Sequence, residues 1–144
     1  MPKIERTITT TAPPEQVWTF MSDFTTTEQW DPPTVRTLRV SGDGGVGTVY
    51  RNTSKVMGRE SDLTYTVIDC EPPRLLRLKG ENETLEAIDT VEVDGVDTGT
   101  LVRYTADFSL KGAARLAAPL LPLGLKRLGD SAAEQLARCL NRLT

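Results

Sequence analysis

From residue 35 to residue 110 the chain alternates apolar and polar residues with a period of two, and short turn-forming breaks interrupt the alternation. No other feature constrains the fold as much. It predicts strands at Val35–Ser41, Thr48–Met57, Glu60–Cys70, Leu75–Asn82, Leu85–Asp94 and Thr100–Leu110. The breaks carry turn chemistry: the glycines from Gly42 to Gly47, Met57-Gly58, Glu71-Pro72-Pro73, and Asp94-Gly95-Val96-Asp97. A parallel crossover needs a dozen residues or more, so such short connections imply an antiparallel meander. The alternation is cleanest at the end, where Val102, Tyr104, Ala106 and Phe108 face one way and Arg103, Thr105 and Asp107 the other. A sheet with one wet and one dry face must cover the dry one.

The cover is predicted at the C-terminal end. Leu125, Leu128, Ala132, Leu136, Cys139, Leu140 and Leu143 recur at three- and four-residue steps, with Arg127, Asp130, Glu134, Arg138 and Asn141 opposite them. Glu134 and Arg138 form a favourable i,i+4 pair. The helical pattern extends back to Gly112, but Pro119 and Pro122 each remove a helix hydrogen bond and would kink or break it. Ahead of the meander, Ile4–Thr11 reads as a strand ended by Ala12-Pro13-Pro14. A short helix begins at Pro14 with Val17, Phe20 and Met21 on one face, and Thr25–Trp30 forms a second short helix or turn closed by Asp31-Pro32-Pro33. No repeat or linker divides the 144 residues, so residues 1–144 read as one α+β domain.

Composition narrows the chemistry. The chain has no histidine, which removes Ser-His-Asp and Cys-His nucleophiles, histidine bases and imidazole metal sites. A net charge of −3 offers no basic field for nucleic acid or anionic lipid. Cys70 and Cys139 are too few for a disulfide framework or a zinc cage and read as reduced thiols. The N-terminal residues carry no apolar run, and the most apolar stretch, Leu116–Leu125, has 10 residues where a membrane span needs about 20. A cytoplasmic protein without stable membrane insertion is expected.

Several motifs then resemble one family. Ala12-Pro13-Pro14-Glu15-Gln16-Val17-Trp18 is similar to the A-P-x-x-V-W signature that follows the first strand in the START-like (SRPBCC) superfamily. Asp23-Phe24 with Glu28-Gln29-Trp30-Asp31-Pro32 resembles its second-helix segment, and Gly45-Val46-Gly47-Thr48 and Glu71-Pro72-Pro73-Arg74 resemble its strand connections. The resemblance spans the chain and is nearest to the polyketide cyclase/dehydrase-like branch. It implies the helix-grip (Bet v 1-like) fold: a curved seven-stranded antiparallel sheet, two short helices, and a long C-terminal helix over a mostly apolar cavity. Members bind lipids, polyketides or hormones, or act as cyclases and dehydratases without a cofactor. Fold alone does not choose among these.

Parity places the candidate site on the dry face. Leu63, Tyr65, Leu76, Leu78, Ala87, Asp89, Tyr104 and Phe108 point inward, and Thr48–Met57 is read with Tyr50, Asn52, Ser54 and Val56 inward. The apolar members pack in a core or line a cavity. Tyr50, Asn52, Tyr65, Asp89 and Tyr104 favour the cavity, because a filled core would leave several of them unpartnered at about 1–3 kcal/mol each. Asp89, desolvated, is the candidate acid or base, with Tyr65 or Tyr104 donating to an enolate oxygen. The plainer alternative pairs Asp89 with Arg103, or has it accept tyrosine hydroxyls structurally. Leu116 and Leu120, in the proline-broken stretch, are candidate contacts from a gate over the cavity. Arg51, Lys55, Arg59, Arg74, Arg77 and Lys79 read as a solvated face, or as steering for an anionic ligand. Gly42-Asp43-Gly44-Gly45-Val46-Gly47 matches the dinucleotide spacing G-x-G-x-x-G, but a β run follows where that site needs a helix, so it reads as a hairpin connection. The expected partner is a small hydrophobic molecule, with binding or cofactor-independent catalysis as competing roles. The oligomeric state, monomer or homodimer, stays open.

Overall fold

The computed structural model describes residues 3–56 and 58–143; the side chains of Val56 and of residues 117–124 lie outside the description. Seven strands form one antiparallel sheet: β1 (Lys3–Thr10), β2 (Thr34–Ser41), β3 (Val49–Val56), β4 (Arg59–Glu71), β5 (Leu75–Glu81), β6 (Leu85–Val96) and β7 (Gly99–Leu110). Their spatial order is β1-β7-β6-β5-β4-β3-β2, so the meander runs unbroken from β2 to β7 and the first strand closes against the last. Between β1 and β2 come α1 (Pro14–Met21), a 3-10 turn (Phe24–Thr26) and α2 (Thr27–Trp30). A 3-10 segment (Gly112–Leu120) precedes the long helix α3 (Leu121–Asn141).

Local chemistry explains the boundaries. Pro14 opens α1 at a first helical position, where its missing N–H costs nothing. The Asp23 carboxylate accepts from the Thr25 amide at 3.0 Å and caps the 3-10 turn. The G-x-G-x-x-G stretch is the β2–β3 connection, and Gly42 sits at φ +92° with Thr48 so close that a Cβ would fall 2.5 Å from its Oγ1. A helix spanning both prolines does not form: the chain runs as 3-10 through Pro119 and turns α at Leu121.

The inner face buries Leu63, Val67, Leu76, Leu78, Val91, Val93 and Val102. On β3, Tyr50 and Asn52 face inward as expected, at 1% and 4% exposure. α3 crosses this face with Leu136 and Leu140 fully buried, and packs mainly on β1. The approach is close because position 129 is glycine; a Cβ there would lie 2.7 Å from Ile4 Cγ2. On the outer face the cations pair with acids, Arg77 with Asp69 at 3.5 Å, Lys79 with Glu86 at 3.7 Å and Arg103 with Glu92 at 3.4 Å. No helix among the described residues is long and apolar enough to cross a membrane.

Candidate functional site

A cavity of about 300 Å³ lies between the sheet and α3. That is the volume of about ten waters and the lower end of the range for small-molecule sites. Its floor is the inner face of β6 and β7, through Leu85, Asp89, Tyr104 and Phe108, continued by Leu63 and Tyr65 of β4 and Asn52 of β3. Leu125, Leu128, Ala132 and Leu136 of α3 form the roof. Phe24, Thr27, Trp30 and Asp31 of the short helical segment close one end, and Ile4, Arg6 and Ile8 of β1 flank it.

The aromatic residues hold one another in place. Phe24 lies tilted against Tyr65 at 4.7 Å and Tyr50 at 5.6 Å, and Trp30 meets Tyr104 edge-on at 5.3 Å. The Tyr65 ring lies over Gly80, its cross-strand neighbour, where a Cβ would fall 2.5 Å from the ring. Only glycine on β5 leaves that ring room.

Asp89 carries the one buried side-chain polar atom without a partner among the described residues. It is 4% exposed, and its Oδ2 accepts from the Tyr104 hydroxyl at 2.9 Å. Its Oδ1 is buried with no hydrogen-bond partner. Burial pushes its pKa up to about 7, opposed by the Tyr104 bond and reinforced by the charge of Asp31. Asp31 is also raised by burial, though the Thr34 hydroxyl at 2.6 Å counteracts this. Burial, then the neighbouring carboxylates, push Tyr65 and Tyr104 well above the ordinary phenol range, so both remain neutral O–H donors. Tyr65 makes no hydrogen bond among the described residues, which leaves its hydroxyl available. A carboxyl poised near neutrality beside two phenols can move a proton or orient a polar ligand group.

Asn52 is differently placed. Its amide donates to Thr34 Oγ1 at 3.1 Å and Thr37 Oγ1 at 2.9 Å, and its Oδ1 accepts from Ser54 at 2.7 Å. Thr37 also meets Thr27 Oγ1 at 2.7 Å. This network ties β3 to β2 and α2 and spends the polarity of Asn52 on the fold.

Of the residues expected at the site, Asn52, Leu63, Tyr65, Asp89, Tyr104 and Phe108 line the cavity. Tyr50, Leu76, Leu78 and Ala87 do not: they face inward as parity requires but are covered by protein. Tyr50 sits behind Phe24 and borders a separate, more open cleft with Trp18, Asp23 and Arg39. Leu116 is 88% exposed and touches no cavity wall, because its side chain turns to solvent. The Leu120 side chain lies outside the description. Of the two plainer readings of Asp89, the pair with Arg103 is absent, since Arg103 is on the outer face with Glu92, whereas acceptance of a tyrosine hydroxyl is present, from Tyr104. Residues not anticipated include Phe24, Trp30, Asp31 and Arg6. Arg6 has the inward parity of Ile4 and Ile8, a signal its charge obscured. Among the described residues no group of three or more acidic or cysteine side chains could hold a metal ion.

Comparison with known proteins agrees with this architecture. Residues 1–141 match the family described as polyketide cyclase / dehydrase and lipid transport. None of the curated proteins matches. A START superfamily protein from Mycobacterium smegmatis superposes with a TM-score of 0.81 at 14% identity, covering 99% of each chain. The Zhui aromatase/cyclase from a Streptomyces species gives 0.79 at 19%, covering 94% of this chain and 91% of that one. A Rhodobacter sphaeroides protein gives 0.73 at 21%, covering 99% and 93%. At these identities the structures establish a shared fold.

Proposed function

The chain belongs to the polyketide cyclase / dehydrase and lipid transport family, and on that premise we propose that it binds a small hydrophobic ligand in the cavity between the sheet and α3. The observation that carries this reading is the cavity itself, about 300 Å³ walled by aromatic and aliphatic side chains and holding few polar groups. A ligand burying about 300 Å² of apolar surface would gain roughly 7 kcal/mol before the cost of association, so affinity and selectivity rest on the polar minority. Native mass spectrometry of the purified chain, with displacement of a solvatochromic probe by two-ring apolar compounds, tests the reading. The expected result is a stoichiometric small-molecule adduct that Ala132→Phe, which fills the roof, removes. Probe affinity unchanged in a folded Ala132→Phe protein would overturn it.

One observation favours a second reading, cofactor-independent cyclase or dehydratase chemistry. Asp89 and Tyr104 are in hydrogen-bond contact in the same cavity as the unpartnered Tyr65 hydroxyl. Asp89 would take or return the proton, and Tyr65 would donate to a developing enolate oxygen. Turnover of a polyketide-like ligand that survives Asp89→Asn unchanged would eliminate this reading.

A further inference from the structure

Resting on the ligand-binding reading above, the charges that face the cavity point to the ligand's own charge. Arg6 is the one cation among the described lining residues, and each of its three nitrogens already has a protein partner. Nε donates to Asp130 at 3.1 Å, Nη1 to the Glu5 carbonyl at 2.8 Å, and Nη2 to the Lys126 carbonyl at 3.3 Å while pairing with Asp130. The amide of Asn52 is held by two threonine hydroxyls. An anionic ligand would meet an arginine already paired with Asp130, and Arg77 and Lys79 of β5 pair with acids on the outer face.

The acceptors are not matched in this way. Asp89 keeps one buried carboxylate oxygen without a partner, and Asp31 shares the same cavity with only Thr34 Oγ1 on its carboxylate. Trp30 and Tyr104, in edge contact, and Phe24 line the same cavity. Two carboxylates, one orphaned acceptor and several aromatic rings are the surroundings an ammonium group needs. We infer that the ligand is an apolar molecule carrying a protonated amine, its nitrogen held by Asp89 and Asp31 and its carbon skeleton packed against Phe24, Trp30 and Leu136.

The groups around Asp89 set the pH response. Tyr104 faces it from β7, Tyr65 from β4, Asp31 from the end of α2 and the neutralised Arg6 from β1, while its register neighbours Leu78 and Ala106 and the α3 roof are uncharged. A bound cation requires Asp89 ionised, and the empty site holds its proton up to about pH 7. Amine affinity should therefore fall about tenfold per pH unit below that point and level off above it.

Calorimetric titration of the full chain with naphthylmethylamine, naphthylmethanol and naphthoate, which share one two-ring skeleton, tests this. At about pH 8 the amine should bind at least tenfold more tightly than the alcohol, with naphthoate weakest. The amine's advantage should shrink as pH falls and disappear in Asp89→Asn, with Asp31→Asn as the second variant should the first not fold. Equal binding of amine and alcohol, or tightest binding of naphthoate, overturns the amine inference and leaves the hydrophobic cavity standing. If none of the three probes binds, both readings fail together.

Discussion

Asp89→Asn should change stability in a strongly pH-dependent way. In the unfolded chain an aspartate releases its proton near pH 3.8, whereas in the fold Asp89 holds it up to about 7. Between those values the folded state binds more protons, so stability on this account falls as pH rises through the window and is flat above it. The full shift corresponds to about 4 kcal/mol. Between pH 5 and pH 8 the lost part is about 2 to 3 kcal/mol. Asparagine keeps an oxygen to accept from Tyr104 and never ionises, but it sets an N–H where Oδ1 now lacks a partner. That unmet donor costs about 1–3 kcal/mol at every pH. Relative to wild type, Asp89→Asn should therefore be neutral or destabilising at pH 5 and become more stable by about 2 to 3 kcal/mol on moving to pH 8. Urea unfolding of both proteins at the two pH values measures this, and the double difference cancels every other titrating group. A mutational effect that is the same at both pH values would refute the buried, protonated carboxyl.

Other perturbations follow from the same wall. Tyr104→Phe leaves Asp89 with no partner at either oxygen, so the variant should lose about 1–3 kcal/mol at pH 8 and less at pH 5, read by urea unfolding. Gly80→Ala would ordinarily stabilise a strand slightly, but here its Cβ meets the Tyr65 ring; a loss of about 1–3 kcal/mol with a changed near-ultraviolet tyrosine signal is expected. Leu136→Ala, at a fully buried position of the roof, should cost about 2–5 kcal/mol, and larger apolar probes should recover part of it by raising the melting temperature. Burial raises both thiols, so Ellman's reagent should modify half-buried Cys70 slowly and Cys139 only on unfolding.

The fold was legible because it depends on periodicity. Leu63, Tyr65 and Val67 on β4 and Val102 through Phe108 on β7 alternate so regularly that one face could only be inward, and the Leu136 and Leu140 stripe supplied its cover. The cavity was less legible, because parity assigns a face without saying what lies above it. Leu78 and Asp89 are register partners, both inward, yet only Asp89 meets open space. That difference depends on which helix covers each part of the sheet, a long-range packing result. Arg6 and Asp31 were obscured for another reason. Each has an evident local role, as a charged residue on an edge strand and as a helix terminator, and their place in the cavity comes from α3 and β7, over a hundred and over seventy residues away.

The pairing of β1 with β7 also bears on how the chain reaches this state during synthesis. Lys3 lies opposite Asp107, and Thr10 opposite Thr100, so the first strand has no ladder partner until nearly the whole meander has been made. Closing a loop of about 100 residues costs roughly 4 kcal/mol of chain entropy before those contacts give anything back. A nascent chain stalled ahead of residue 99 would lack both β7 and α3, leaving uncovered the part of the apolar face that α3 shields. The sheet's closure is therefore among the last steps open to the chain, since β1 waits for β7 and the cover waits for α3.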